Sequence, residues 1–266
     1  MSNTKRNRLR ERIESDEISI GTRMQNQWPG LLEILGQTER FDYVEFLAEY
    51  APYDLRDMEN MARAAELSDL SMMIKVDAES RAFTAQRAMA AGIQNILFAD
   101  VRTVEDALEA VAAVRPEPEW DNGVRSDRRN GYVGGYASPG EVVEWCEDAV
   151  IAIMVEKEET VENLEEILEI GEIDMVQFGP ADYSLSIGKP GEYDAPEVKE
   201  AAQTTIDTAL DMGVAPRAEI NHPEEAADYL DRGVRDFNLS TDTRVINNWY
   251  NEHVGRLEEE VSDFSR

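Results

Sequence analysis

Two acidic side chains follow apolar, strand-like runs directly: Glu156 after Ile151-Ala152-Ile153-Met154-Val155, and Asp182 after Ile173-Asp174-Met175-Val176-Gln177-Phe178-Gly179-Pro180-Ala181. If those runs are neighbouring strands, about 4.8 Å apart, the two carboxylates come close together and repel. A divalent cation between them relieves the repulsion and supplies a Lewis acid. Helix N-caps and surface charges are the competing readings for two such acids, and residue type alone leaves all of them open. Other polar residues fall at the carboxyl ends of comparable runs: Arg23, Glu49 and Tyr50, Lys75 and Asp77, Asp100, Arg217 and Glu219, and Asp242. That end of the strands is where a parallel barrel places its chemistry.

Eight short apolar runs can carry these residues: 18–21, 41–47, 71–76, 93–99, 150–155, 173–179, 214–218 and 236–240. Segments of helical period at 54–67, 81–91, 104–114, 160–170, 196–212, 223–232 and 244–257 lie between or after them. Eight such alternations without an interrupting linker, in 266 residues, predict an α/β fold, the (β/α)8 TIM barrel with parallel strands, over an open doubly wound sheet. One domain, 1–266, is expected, with 1–15 a charged amino-terminal extension. Residues 242–266 are expected to form a carboxyl-terminal helix that packs on a neighbouring subunit or covers its own barrel. The Pro-, Gly- and Arg-rich stretch 116–139 does not fit the repeat, and Trp120, Tyr132 and Tyr136 make it a candidate lid or subunit contact.

Composition narrows the partners. Apolar residues make up 42% of the chain, but no apolar run approaches the roughly 18 residues that span a bilayer, and 1–14 is charged throughout, unlike a signal peptide. A cytoplasmic globular protein is expected. The formal net charge of −30 argues against nucleic acid or an anionic membrane surface as partner. The acids are spread over nearly every helical stretch, and lysine is reduced to Lys5, Lys75, Lys157, Lys189 and Lys199. Such a surface suits molar salt, where screening acts within about 3 Å, so a halophilic protein that loses stability in low salt is expected. The lone Cys146 reads as a packing residue. With only His222 and His253 in the chain, a metal would rest on oxygen ligands, which favours Mg²⁺ or Mn²⁺, with Co²⁺ as a further option, over Zn²⁺.

Three stretches carry a resemblance to a known family. They are Phe41-Asp42-Tyr43-Val44-Glu45 with Glu49-Tyr50-Ala51-Pro52, the segment Val161-Glu162-Asn163-Leu164-Glu165-Glu166-Ile167-Leu168, and above all Gly179-Pro180-Ala181-Asp182-Tyr183-Ser184 with Gly188. Together they resemble the HpcH/HpaI family of class II pyruvate aldolases, over about residues 21–242. The resemblance implies a metal-dependent carbon–carbon lyase that cleaves or forms an aldol bond in a 2-oxo acid, such as a 2-keto-3-deoxy sugar acid, through a metal-stabilised pyruvate enolate. It implies Glu156 and Asp182 as the metal ligands, with backbone N–H groups around Gly179, Pro180 and Ala181 holding the substrate carboxylate. It also implies a homo-oligomer, a hexamer or trimer.

The chain departs from the family pattern where proton transfer is concerned. Tyr50 stands in place of the histidine of an acid/base pair, and Arg87-Ala88-Met89-Ala90-Ala91-Gly92 offers alanine where the partner aspartate is expected. Lys75 replaces a substrate-binding arginine, and Met154 replaces a glutamine. Tyr50 and Lys75 thereby become the candidate catalytic residues. Lys75 is a candidate to pair with substrate, assist proton transfer or form a Schiff base, with an ion pair to Asp100 or Glu49 as the structural alternative. Tyr50 is a candidate hydrogen-bond donor or proton shuttle, with packing as its alternative. Arg23 is a candidate for holding a distal carboxylate or hydroxyl of the substrate. Loss of the acid/base pair keeps open a different enolate reaction, such as decarboxylation, condensation or use of another acyl substrate, and a non-catalytic metabolite-binding barrel is the third reading.

Overall fold

The computed structural model describes residues 6–120, 122–123, 128 and 138–261. Eight parallel strands close into a barrel in sequence order: β1 (Ser19–Met24), β2 (Tyr43–Leu47), β3 (Ser71–Val76), β4 (Asn95–Phe98), β5 (Ile151–Val155), β6 (Met175–Phe178), β7 (Ala215–Ile220) and β8 (Asp236–Thr241). The helices on the outside are α1 (Arg8–Glu14), α2 (Pro29–Gln37), α3 (Leu55–Leu67), α4 (Arg81–Ala91), α5 (Val104–Val114) and α6 (Pro139–Glu147). They continue with α7 (Glu158–Glu162), α8 (Leu164–Leu168), α9 (Pro180–Ser186), α10 (Pro196–Asp211), α11 (Ala226–Asp231) and α12 (Asp242–Glu260). The expected TIM barrel is the observed one.

Strands covered on both faces must be apolar almost throughout, and β3 and β5 are buried at every position. Successive side chains alternate between the helix layer and the lumen. Val44, Phe46, Ile74, Ile96 and Phe98 turn outward against Leu32, Met58 and Met61, while Tyr43, Met73, Leu97, Ala152, Met154 and Met175 form a separate inner cluster. The other half of the lumen is polar. Ser19, Glu45, Arg217, Asp236 and Asn238 of β1, β2, β7 and β8 are all buried there. Arg217 is ion-paired to Glu45 and lies 3.3 Å from Asp236, whose carboxylate also receives the hydroxyls of Tyr43 (2.8 Å) and Ser19.

The stretch whose charge marks it as an extension contains α1, which closes the amino-terminal end of the barrel. Asn7 caps the helix and donates to Asn95 at 2.7 Å, Leu9 joins the inner cluster, and Arg10 pairs with Asp174 at 2.7 Å. The helix expected at 160–170 is two short helices joined at Asn163, and the one at 223–232 begins as a 3₁₀ turn at Pro223–Glu225. Helices α2, α6 and α9 were not singled out by periodicity. Each begins with Pro in its first turn, where the missing N–H costs nothing, and α6 also has the Ser138/Glu141 capping box.

The long stretch after α5 does not reach the mouth of the barrel in its described part. A connection that follows a helix starts at the amino-terminal face, and there Arg128 pairs with Glu66 at 2.7 Å and donates to the Ala91 carbonyl, while Trp120 packs against the outer core. Tyr132 and Tyr136 lie outside the described residues.

No helix among the described residues is long and apolar enough to cross a membrane. Acidic side chains are exposed along α10 (Glu197, Glu200, Asp207, Asp211), on α11 (Asp228, Asp231) and at the carboxyl end of α12 (Glu258, Glu259, Glu260). With a net charge of −30, raising KCl from about 0.1 M to about 2 M is expected to raise the thermal midpoint by several degrees, because self-repulsion is screened over shorter distances. Scanning calorimetry across a salt series reads this directly; a midpoint that does not move with salt would remove the case for salt adaptation.

Candidate active site

Glu156 leaves the end of β5 and is 3% exposed. One carboxylate oxygen, Oε1, accepts the backbone N–H of Asp100 at 2.8 Å, which fixes its orientation. The other, Oε2, is buried without a hydrogen-bond partner and stands 3.9 Å from the Lys75 ammonium. Burial raises the Glu156 carboxyl above its usual range. Lys75 and the Asp100 N–H work against that rise, and the charges of Asp182 and Glu49 add to it.

Lys75, at the end of β3, lies 2.7 Å from Glu49 and donates to the Tyr50 hydroxyl at 2.8 Å. Its ammonium also sits 4.9 Å from the centre of the Tyr50 ring. Burial by itself would lower the Lys75 pKa, but Glu156, Tyr50 and Glu49 outweigh it and hold the group above its ordinary value. An ammonium held this firmly has no lone pair for a carbonyl, so the geometry favours a fixed positive charge over a Schiff-base nucleophile. Tyr50 sits at the rim, about half exposed. Its phenol is pushed up to about 12, chiefly by burial of its hydroxyl and with Lys75 pulling it back down, so it keeps its proton at neutral pH.

Asp182 occupies the first turn of α9 and is largely accessible, its carboxylate 3.8 Å from Lys157. Lys157 is also 3.7 Å from Asp100 and thus bridges the ends of β4, β5 and β6. The approach of this turn to Glu156 requires glycine at 179, since a Cβ there would lie 2.9 Å from both the Glu156 Cβ and the Met154 methyl. The Gly179 N–H donates to the Val155 carbonyl at 2.9 Å, and Pro180 has no N–H. Of the three residues 179–181, Ala181 is the one whose N–H, in the first turn of a helix, has no intrahelical acceptor.

Arg23 belongs to a second set across the mouth. It is ion-paired to Glu219 and donates to the Ser240 carbonyl at 3.2 Å, and Gln177 donates to the other Glu219 oxygen at 3.1 Å. Arg217, which also looked like a strand-end residue, is instead sealed inside the barrel. Asp77 accepts from its own turn at Ser80, and Asp242 from the backbone of Gln25 and Asn26. Position 91 ends α4, on the face opposite Tyr50, so no residue there can partner residue 50 within one chain. Gln177 and Lys157 were missed in the sequence, although Gln177 shares the inward phase of Met175 and Lys157 directly follows Glu156.

The family model described as HpcH/HpaI aldolase/citrate lyase matches residues 29–248. The chain belongs to that family. It is 27% identical to a 2-keto-3-deoxy-L-rhamnonate aldolase of Escherichia coli (strain K12), over 90% of this chain and 88% of that enzyme. Its fold is similar to an HpcH/HpaI aldolase from Desulfitobacterium hafniense DCB-2, with a TM-score of 0.86 at 21% identity over 94% of this chain and 96% of that one. It is also similar to the citrate synthase SbnG, with a TM-score of 0.84 at 20% identity over 96% and 99% of the two chains. Membership makes the chain an enzyme of the aldolase and lyase type.

Proposed function

We propose that this HpcH/HpaI member is a metal-dependent class II aldolase acting on a 2-oxo acid such as a 2-keto-3-deoxy sugar acid, with pyruvate as one product. The observation that carries this reading is the buried, unpartnered Oε2 of Glu156, with Asp182 near enough for its charge to be felt. A buried carboxylate oxygen without a donor is costly unless a cation meets it. Among the described residues no group of three or more His, Cys, Asp or Glu is gathered for a metal, so the chain offers two carboxylates, Glu156 and Asp182. A two-carboxylate set completed by substrate and water suits Mg²⁺ or Mn²⁺. Such an ion, when bound, polarises the 2-carbonyl of the substrate.

The residues around it take the other tasks. Lys75 places a permanent positive charge where a carboxylate or a developing oxyanion arrives, and does so as a point charge without an arginine's fork. Ala181 offers its free N–H to the substrate carboxylate. Tyr50, protonated at neutral pH, gives a hydrogen bond and does not act as the base. The 27%-identical relative makes 2-keto-3-deoxy sugar acids the first class to assay. Pyruvate release from them should need Mg²⁺ or Mn²⁺ and stop on chelation; absence of both turnover and metal binding would sink the reading.

The high Tyr50 pKa favours one alternative, enolate formation by decarboxylation of a 2-oxo diacid, which needs no base to start it. Oxaloacetate decarboxylated while pyruvate shows no deuterium exchange at its methyl group would select it.

The same family reading extends to assembly. Val245, Ile246, Trp249 and Tyr250 of α12 are each more than half exposed, an apolar face that a second copy of the chain would cover in a hexamer or trimer. Trp249→Ala combined with Ile246→Ala is expected to lower the mass seen by light scattering; an unchanged mass would place the contact elsewhere.

A further inference from the structure

Three cations at the mouth are already engaged. Lys75 is held by Glu49, Lys157 lies between Asp100 and Asp182, and Arg23 is ion-paired to Glu219. Glu219 differs from the other partners in its position, on β7 and across the barrel from β3, with its side chain 35% exposed while Arg23 beneath it is 10% exposed. Both its oxygens are oriented, one by Arg23 and the other by Gln177. Gln177 is 3% exposed, and its own Oε1 has no partner; the Oδ1 of Asn221, just past β7, has none either. This side of the mouth therefore presents the Glu219 carboxylate, over a guanidinium whose charge is already matched, with the unpartnered amide oxygens of Gln177 and Asn221 buried close to it.

We propose that Glu219 sets which aldehyde the enzyme accepts: by occupying Arg23, it selects an acceptor whose distal end is uncharged and hydroxylated, and rejects one carrying a second carboxylate. The proposal rests on the aldolase reading above. A hydroxyl donates to the exposed edge of the Glu219 carboxylate, whose oxygens have lone pairs to spare beyond Arg23 and Gln177. A carboxylate donates nothing, faces the negative charge of Glu219 and finds the Arg23 guanidinium already matched. Arg23 would bind that carboxylate bidentately if Glu219 were neutral, so one side chain holds the selectivity. Gln177 acts through Glu219 as a positioning residue.

The test is aldol synthesis from pyruvate with Mg²⁺ or Mn²⁺ and three aldehydes of similar length: glyceraldehyde, butyraldehyde and 4-oxobutanoate. The unmodified enzyme is expected to rank them in that order by kcat/KM. Glu219→Gln is expected to raise the ratio of 4-oxobutanoate to butyraldehyde by about tenfold or more, and Arg23→Gln added to it should cancel the rise. Glu219→Asp, which keeps the charge, should keep the original order. An unchanged ratio in Glu219→Gln, or an unmodified enzyme that prefers 4-oxobutanoate, overturns the proposal and leaves the aldolase reading standing. No carbon–carbon bond formed with any of the three overturns the aldolase reading, and this proposal with it.

Discussion

Glu156→Gln is expected to lower kcat/KM by roughly a thousandfold or more, equivalent to about 4 kcal/mol of transition-state stabilisation, while the thermal midpoint holds or rises. The two halves of this result have one cause. The Glu156 carboxylate is buried, one oxygen has no hydrogen-bond partner, and burial lifts its pKa. A carboxyl whose folded-state pKa is raised contributes most to stability below its unfolded value, and that contribution is lost as pH rises through the folded value. At neutral pH the charge therefore costs stability, and the neutral amide, which can still accept from the Asp100 N–H, removes the cost. Lys75 keeps its partners Glu49 and Tyr50 in the variant, so the cluster is not left with an unmatched ammonium. Steady-state kinetics with calorimetric titration of Mn²⁺ checks the first half and a melting curve the second. Loss of activity with unchanged Mn²⁺ affinity would mean that Glu156 serves the reaction in some way other than holding the ion.

The barrel was legible because each strand is a short run with an apolar helix-facing side, and β5 is apolar on both faces, which leaves eight short runs that few other folds produce. The site was legible in part. Glu156 and Asp182 follow their runs directly, and the structure leaves both near the mouth. Arg217 shows why the rest was not. Read with a seventh run ending at residue 218, it looks like a strand-end residue, but β7 continues to Ile220, and Arg217 lies within the strand, pointing into the lumen. Glu219 interrupts the apolar pattern before Ile220, and that interruption is itself the signal of a polar residue at the mouth. Pairings were legible only between neighbouring strands. The Lys75–Glu49 pair, one of the two the sequence allowed, joins the ends of adjacent strands, whereas the pairing of Arg23 with Glu219 joins β1 to β7 and depends on barrel closure, which sequence spacing does not encode.

Arg217→Met is expected to destabilise the fold by about 3–5 kcal/mol at pH 7, because it leaves Glu45 and Asp236 buried together without their countercharge. The remaining partners of the two acids, Asn238, Tyr43 and Ser19, donate hydrogen bonds but carry no charge. Burial already raises the Asp236 carboxyl, and Arg217 is the largest influence pulling it back, so the substitution drives it higher still. The sign of the pH effect follows. With the folded-state pKa of Asp236 raised above the unfolded value of about 3.9, the folded protein binds the extra proton more tightly, so the deficit should shrink as pH falls from 7 towards 5. The unmodified protein, with Arg217 in place, should show a weaker recovery over the same range. Urea unfolding of both proteins at the two pH values, in matched high salt to limit surface repulsion, gives the comparison. A deficit that does not depend on pH would mean the loss comes from the vacated volume of the guanidinium and not from the two acids it holds apart. Asp236→Asn in the Arg217→Met background separates these causes: removing one stranded charge should recover part of the stability if the acids are responsible, and none if the cavity is.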